Sequence, residues 1–75
     1  MPTTYIRFRT KYLDGKWSQE TVNMGSYTKN RNYAKELVEM LRHFLYKGNV
    51  LGYTVEVVTT TRNGEYTYIM GIEEM

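Results

Sequence analysis

Between Lys29 and Lys47 the apolar residues Ala34, Leu37, Val38, Leu41, Phe44 and Leu45 recur at helical spacing, and the segments on either side alternate with a period of two. One amphipathic helix between two stretches of strand leaves few ways to fold. Its stripe needs a sheet face to cover, and strands that arrive in adjacent pairs form hairpins. Lys35, Glu39, Arg42 and His43 fall on the polar side of the helix. Ser26, Thr28 and Asn30 can each cap its start. Gly48-Asn49 supplies a left-handed end just after Lys47.

The first alternating segment runs from Thr4 to Tyr12. It puts Ile6 and Phe8 on one face and Tyr5, Arg7, Arg9 and Lys11 on the other. Its partner runs from Trp17 to Met24. A two-residue loop of Asp14-Gly15 would mix the two faces. A three-residue loop, Leu13-Asp14-Gly15 with Gly15 left-handed, pairs Ile6 with Val22 and Arg9 with Gln19 and keeps the apolar side intact, so it is preferred.

The second pair begins with the β-branched run Tyr53–Thr61 and turns at Asn63-Gly64, a strong short hairpin signal. A two-residue type I′ loop there pairs Val57 with Met70, Val55 with Ile72 and Val58 with Ile69. Glu73-Glu74-Met75 then reads as a short acidic tail. The expectation is an α+β fold of order ββαββ: a four-stranded antiparallel sheet with one helix packed on one face, forming a single domain over 1–75. Ile6, Phe8, Val22, Met24, Val55, Val57, Met70 and Ile72 should lie beneath Leu37, Val38, Leu41, Phe44 and Leu45.

Composition narrows the function more than it defines it. At 75 residues the stability margin is thin, and the absence of cysteine removes disulfides and thiolate metal sites. A single histidine cannot build a His-based site. Self-association is the remedy left to a small core, with homodimerisation the simplest form. The sequence shows no nucleophile elbow, phosphate-cradling glycine loop or paired-histidine motif, and Asp14 is accounted for by its turn. Neither an enzyme nor a cofactor or metal protein is expected. No stretch has signal-peptide or membrane-spanning character, so a cytoplasmic location with no membrane partner is expected.

The outer face of the first hairpin is the expected partner-binding surface. Tyr5, Arg7, Arg9 and Lys11 line one strand, and Trp17 and Gln19 its neighbour. Such a surface can pair with phosphate and stack on bases, and it is equally rich in the residue types that anchor protein interfaces. Charge is split along the chain. Residues 1–47 carry nine Lys/Arg and four Asp/Glu, for +5; residues 48–75 carry one Arg and four Glu, for −3. Eight tyrosines add amphipathic contact area. Val58 and Ile69, paired on the outer face of the second hairpin, are the expected dimer contact.

Some partial likenesses attach to these residues. The strand–turn–strand bearing Arg and Trp, followed by Gly25-Ser26-Tyr27-Thr28 and a helix from near Ala34, is similar to the N-terminal DNA-reading domain of some phage-type integrases. That likeness covers the chain to about Phe44 and implies a sheet face set against DNA. The ββαββ order resembles swapped-hairpin transition-state regulators, whose helix is shorter. A small, Tyr-rich chain without catalytic motifs is also similar in style to phage accessory proteins that inhibit host enzymes or defence systems. The leading expectation is a small non-enzymatic interaction protein that occupies a macromolecular partner, a protein ahead of nucleic acid, as an inhibitor or accessory factor of a phage or other mobile element. A DNA-binding module and a structural homodimerising domain are the alternatives.

Overall fold

The structure, a computed structural model, describes residues 2–75. Strands β1 (Thr3–Lys11) and β2 (Trp17–Val22) precede helix α1 (Tyr27–Tyr46), and strands β3 (Gly52–Thr61) and β4 (Gly64–Glu74) follow it. All four strands form one antiparallel sheet in the order β2-β1-β3-β4. The helix connection therefore carries the chain from edge strand β2 across to β3, beside β1. The α+β ββαββ arrangement is as expected from the residues.

The helix begins at Tyr27, two residues earlier than the apolar stripe implies, because Ser26 takes the cap: its hydroxyl accepts from the Lys29 amide at 3.2 Å. At the other end Gly48 turns left-handed. Its amide donates to the Leu45 carbonyl and that of Asn49 to Phe44, which satisfies the carbonyls that the last turn would leave bare.

α1 packs on β3, β1 and β4 and leaves β2 uncovered. The core is Ile6, Ala34, Leu37, Val38, Leu41, Leu45, Val50, Tyr53, Val55 and Val57, with Phe8, Tyr33 and Met70 packed against it. Because the helix stops short of β2, Val22 is only half-buried, and Met24 and Phe44, expected in the core, are exposed.

The first hairpin has the expected register. Ile6 lies opposite Val22 and Arg9 opposite Gln19, around the three-residue loop with Gly15 at φ 86°. The second does not. Thr61 pairs with Gly64, so the loop is Arg62-Asn63 rather than Asn63-Gly64. The Thr61 hydroxyl holds this shifted turn, accepting from the Asn63 amide and donating to the Gly64 carbonyl, both at 3.2 Å.

Further along the same hairpin, Met70 is an extra residue: Glu56 pairs with Ile69 and Val55 with Gly71. This β-bulge changes the alternation of β4. Gly71 and Glu73 now face the helix, and Ile72 turns to the open face, where it is 62% exposed instead of buried. The reason lies in the helix. A Cβ on Gly71 would stand 2.9 Å from both methyl carbons of Val38, a separation that side chains do not tolerate. Only glycine admits Val38 to the sheet at that point.

The bulge also makes Glu73 a clamp instead of part of a tail. The fully buried Tyr53 donates its hydroxyl to Glu73 Oε2, the Tyr46 hydroxyl donates to Oε1 at 3.1 Å, and Arg42 Nε donates to Oε2 at 3.1 Å. Helix, β3 and β4 are thereby joined at one carboxylate. Burial, then the adjacent carboxylate, pushes the Tyr53 hydroxyl above its ordinary value. The Tyr53 hydrogen bond, with help from Arg42 and Tyr46, holds Glu73 below the ordinary glutamate value of 4.5.

Candidate functional site

The face of the sheet opposite α1 is covered by no other element. It is built by period-two alternation on four strands: Thr21, Gln19 and Trp17 from β2; Tyr5, Arg7, Arg9 and Lys11 from β1; Val58, Glu56 and Thr54 from β3; Glu65, Thr67, Ile69, Ile72 and Glu74 from β4. All six expected partner-binding residues share this face. Arg9 lies directly opposite Gln19, with Nε donating to Oε1 at 2.8 Å, and Lys11 lies opposite Trp17.

What the strand order adds is the acidic neighbour. β1 pairs with β3, so the basic strand of the first half lies against the acidic hairpin of the second. Arg7 Nε and a terminal guanidinium nitrogen both approach Glu56 Oε2 to 2.9 Å, and its other terminal nitrogen stands 3.7 Å from Glu65. The hydrogen bond to Glu56 holds the Arg7 guanidinium more firmly charged than usual. Lys11 Nζ reaches Glu74 at 2.7 Å. Arg7, Arg9 and Lys11 are thus matched in number by Glu56, Glu65 and Glu74, and the face carries no net charge. The split of charge along the chain closes on itself.

The expected pairing of Val58 with Ile69 requires correction. Val58 pairs with Thr67 and Ile69 with Glu56, so the two are not a cross-strand pair. Val58 is wholly buried beneath its neighbours and presents nothing to a partner, whereas Ile69 is 56% exposed. Ile72 is brought to this face by the bulge and is exposed beside Ile69. The exposed apolar groups therefore lie toward the two edges, Trp17 (44% exposed) on β2 and Ile69 with Ile72 on β4, with the ion pairs between them.

Two concave regions lie elsewhere. A groove of about 280 Å³ is lined by Thr10, Tyr12, Leu41, Phe44, Asn49 and Val50. A hollow of about 260 Å³ on the first turns of α1 is lined by Tyr27, Thr28, Arg31, Asn32 and Lys35, with the Arg31 guanidinium 5.7 Å from the ring centre of Tyr27 and 5.1 Å from that of Tyr68. The groove holds no ionisable group other than the Tyr12 phenol, and the hollow has no carboxylate to act as base. Among the described residues no three His, Cys, Asp or Glu side chains gather as metal ligands would, and no helix is long and apolar enough to cross a membrane.

Sequence reasoning missed Asn30, which is fully buried within the helix and is not its cap. Its Oδ1 accepts from the Met24 amide at 2.9 Å and its Nδ2 donates to the Thr4 carbonyl at 3.1 Å, which ties the β2–α1 connection to β1 and so positions the first hairpin. An asparagine four residues inside a helix start, where a cap would already be satisfied, was the available signal. No family model matches this sequence, and no curated protein or solved structure matches it closely enough to serve as a relative.

Proposed function

We propose that this chain is a small non-enzymatic interaction protein that engages a protein partner through the open face of its sheet. The observation that carries the reading is the pairing of exposed Trp17, Ile69 and Ile72 with a charge-neutral mesh of ion pairs. Aromatic and aliphatic anchors beside already-partnered charges can be covered without stranding a charge, which is what a protein interface requires. The DNA reading is weakened by the same mesh. Binding to phosphate draws its strength from cations that shed counterions, and Arg7 and Lys11 already hold carboxylates. Arg9 alone remains without one. A role as inhibitor or accessory factor follows the same logic, by occupying a partner's surface, and a cysteine-free chain suits a reducing, cytoplasmic setting.

The test is a comparison of baits. Wild type and Trp17→Ala are immobilised and exposed to an extract of the source cell, at low and high salt and with nuclease. Recovery of a protein by wild type, resistant to salt and nuclease and lost with Trp17→Ala, supports the reading. Equal recovery by both baits, or recovery abolished by nuclease, overturns it.

A further inference from the structure

We infer that the open face is self-complementary and that its partner is a second copy of this chain, docked sheet against sheet; this rests on the reading of that face as a protein-binding surface. The argument comes from strand order. Across the sheet the exposed character runs apolar on β2 (Trp17), basic on β1 (Arg7, Arg9, Lys11), acidic on β3 (Glu56), then apolar with flanking glutamates on β4 (Ile69 and Ile72, between Glu65 and Glu74).

A two-fold axis parallel to the strands, midway between β1 and β3, reverses that order against itself. β1 then lies over the second copy's β3, with Arg7 over its Glu56, and β2 lies over its β4, with Thr21, Gln19 and Trp17 level with its Ile69, Ile72 and Glu74. A closed dimer needs just such an isologous surface, and aligned sheets can pack in this way about 10 Å apart. No other partner is guaranteed to carry the complementary stripe; a second copy does by construction.

Two further observations agree. Arg7 and Glu56 have side chains only 21% and 15% exposed, so most of their desolvation has already occurred within one chain. Covering them again therefore adds little of the penalty that usually opposes burying charge. The open face spans four paired strands of 9, 6, 10 and 11 residues, all of which a two-sheet contact can use. Arg9, the one β1 cation without a carboxylate, comes to lie over Thr54 of the second copy, two positions along β3 from Glu56.

The experiment measures the mass of the intact chain by sedimentation and light scattering up to high micromolar concentration, for wild type, for Ile69→Glu/Ile72→Glu, and for Met40→Glu on the exposed side of α1. Circular dichroism confirms that each variant is folded. The expected result is a dimer for wild type and Met40→Glu, with the dissociation constant raised roughly tenfold or more in the double variant.

Because the chain lacks cysteine, the geometry can be read directly with a short bis-maleimide. Gln19→Cys mixed with Ile72→Cys should cross-link efficiently, and either alone poorly, since β2 and β4 lie on opposite edges. A wild-type monomer at high concentration overturns the second copy as partner yet leaves the face open to a different protein, which the bait comparison decides. A dimer that survives Ile69→Glu/Ile72→Glu, or one that cross-links chiefly through Gln19→Cys alone, overturns the two-fold arrangement.

Discussion

The two hairpins have similar strands and differ in how they are held. β3 lies under the helix and β4 is fixed to it at two points, with Val38 pressed on Gly71 and with Tyr53, Tyr46 and Arg42 gathered on Glu73. β2 has no helix above it, and the first hairpin is joined to α1 through Ile6, Phe8 and the two hydrogen bonds of Asn30. A small domain with one helix cannot cover four strands equally. Here the helix sits over the central strands β3 and β1, reaches β4 through Val38 and the Glu73 clamp, and leaves β2 bare. The general point is that stability and exposure divide along the sheet, and the predictions below test where that division falls.

The largest effect is expected at the helix. Leu41 is buried against the sheet, so Leu41→Ala should cost about 2–5 kcal/mol. In a domain this small that is a large share of the total, and a collapse of the urea midpoint checks it. Gly71→Ala comes next. Its new methyl group meets Val38 at 2.9 Å, and overpacking of this kind costs about 1–3 kcal/mol. If Gly71→Ala melted like wild type, Val38 would have room to move and the close approach would not be what fixes the bulge. Asn30→Ala leaves the Met24 amide and Thr4 carbonyl without their partner, at a cost of about 1–2 kcal/mol. Amide exchange should then accelerate first in β1 and β2 and later in β3, the order that an unequal division requires.

These residues also show how far the sequence could be read. The first hairpin was legible because Leu13-Asp14-Gly15 admits only one register that keeps Ile6, Phe8 and Val22 together. The second misled because Asn63-Gly64 resembles a complete turn signal, while the Thr61 hydroxyl draws the turn one residue earlier. The bulge at Met70 then resets the faces. Nothing local marks it: Met70-Gly71-Ile72 reads as ordinary alternation until Val38, 33 positions away, is seen to exclude a side chain. That Tyr5, Arg7, Arg9, Lys11, Trp17 and Gln19 share one face was legible from period two alone. Their neutralisation was not, since it depends on β1 pairing with β3, and strand order is a long-range property.

A smaller effect separates the hairpins by pH. Glu73 is depressed in the folded state, so the unfolded chain binds its proton more tightly. The clamp's contribution is therefore present in full above the ordinary value of 4.5 and is lost as pH falls through the lower folded value. Chemical denaturation from pH 7 to pH 3 should show wild type losing its advantage over Glu73→Gln across that acidic window. A gap that stays constant would mean that Glu73 does not act through its charge.

The smallest effects concern the three cations that sequence alone makes equivalent. In the structure they are not. Arg7→Ala strands Glu56, whose side chain is 15% exposed and whose remaining close cation is gone. It should cost about 1 kcal/mol, the typical net worth of a hydrogen bond. Lys11→Ala breaks a pair with Glu74 that is half open to water, and exposed pairs are worth about 0.2–1 kcal/mol. Arg9→Ala removes only a hydrogen bond to an exposed Gln19, so it should stay within about 0.5 kcal/mol of wild type. Salt should erode the Lys11 increment before that of Arg7, because the more exposed pair is screened more fully. The ranking follows how firmly each cation is held by a carboxylate, and for function it should reverse. Arg9, the cation without a carboxylate, is the one able to offer a partner a charge that the fold does not already use. Stability and binding measured on the same three variants would separate the residue that holds the face together from the one that works on it.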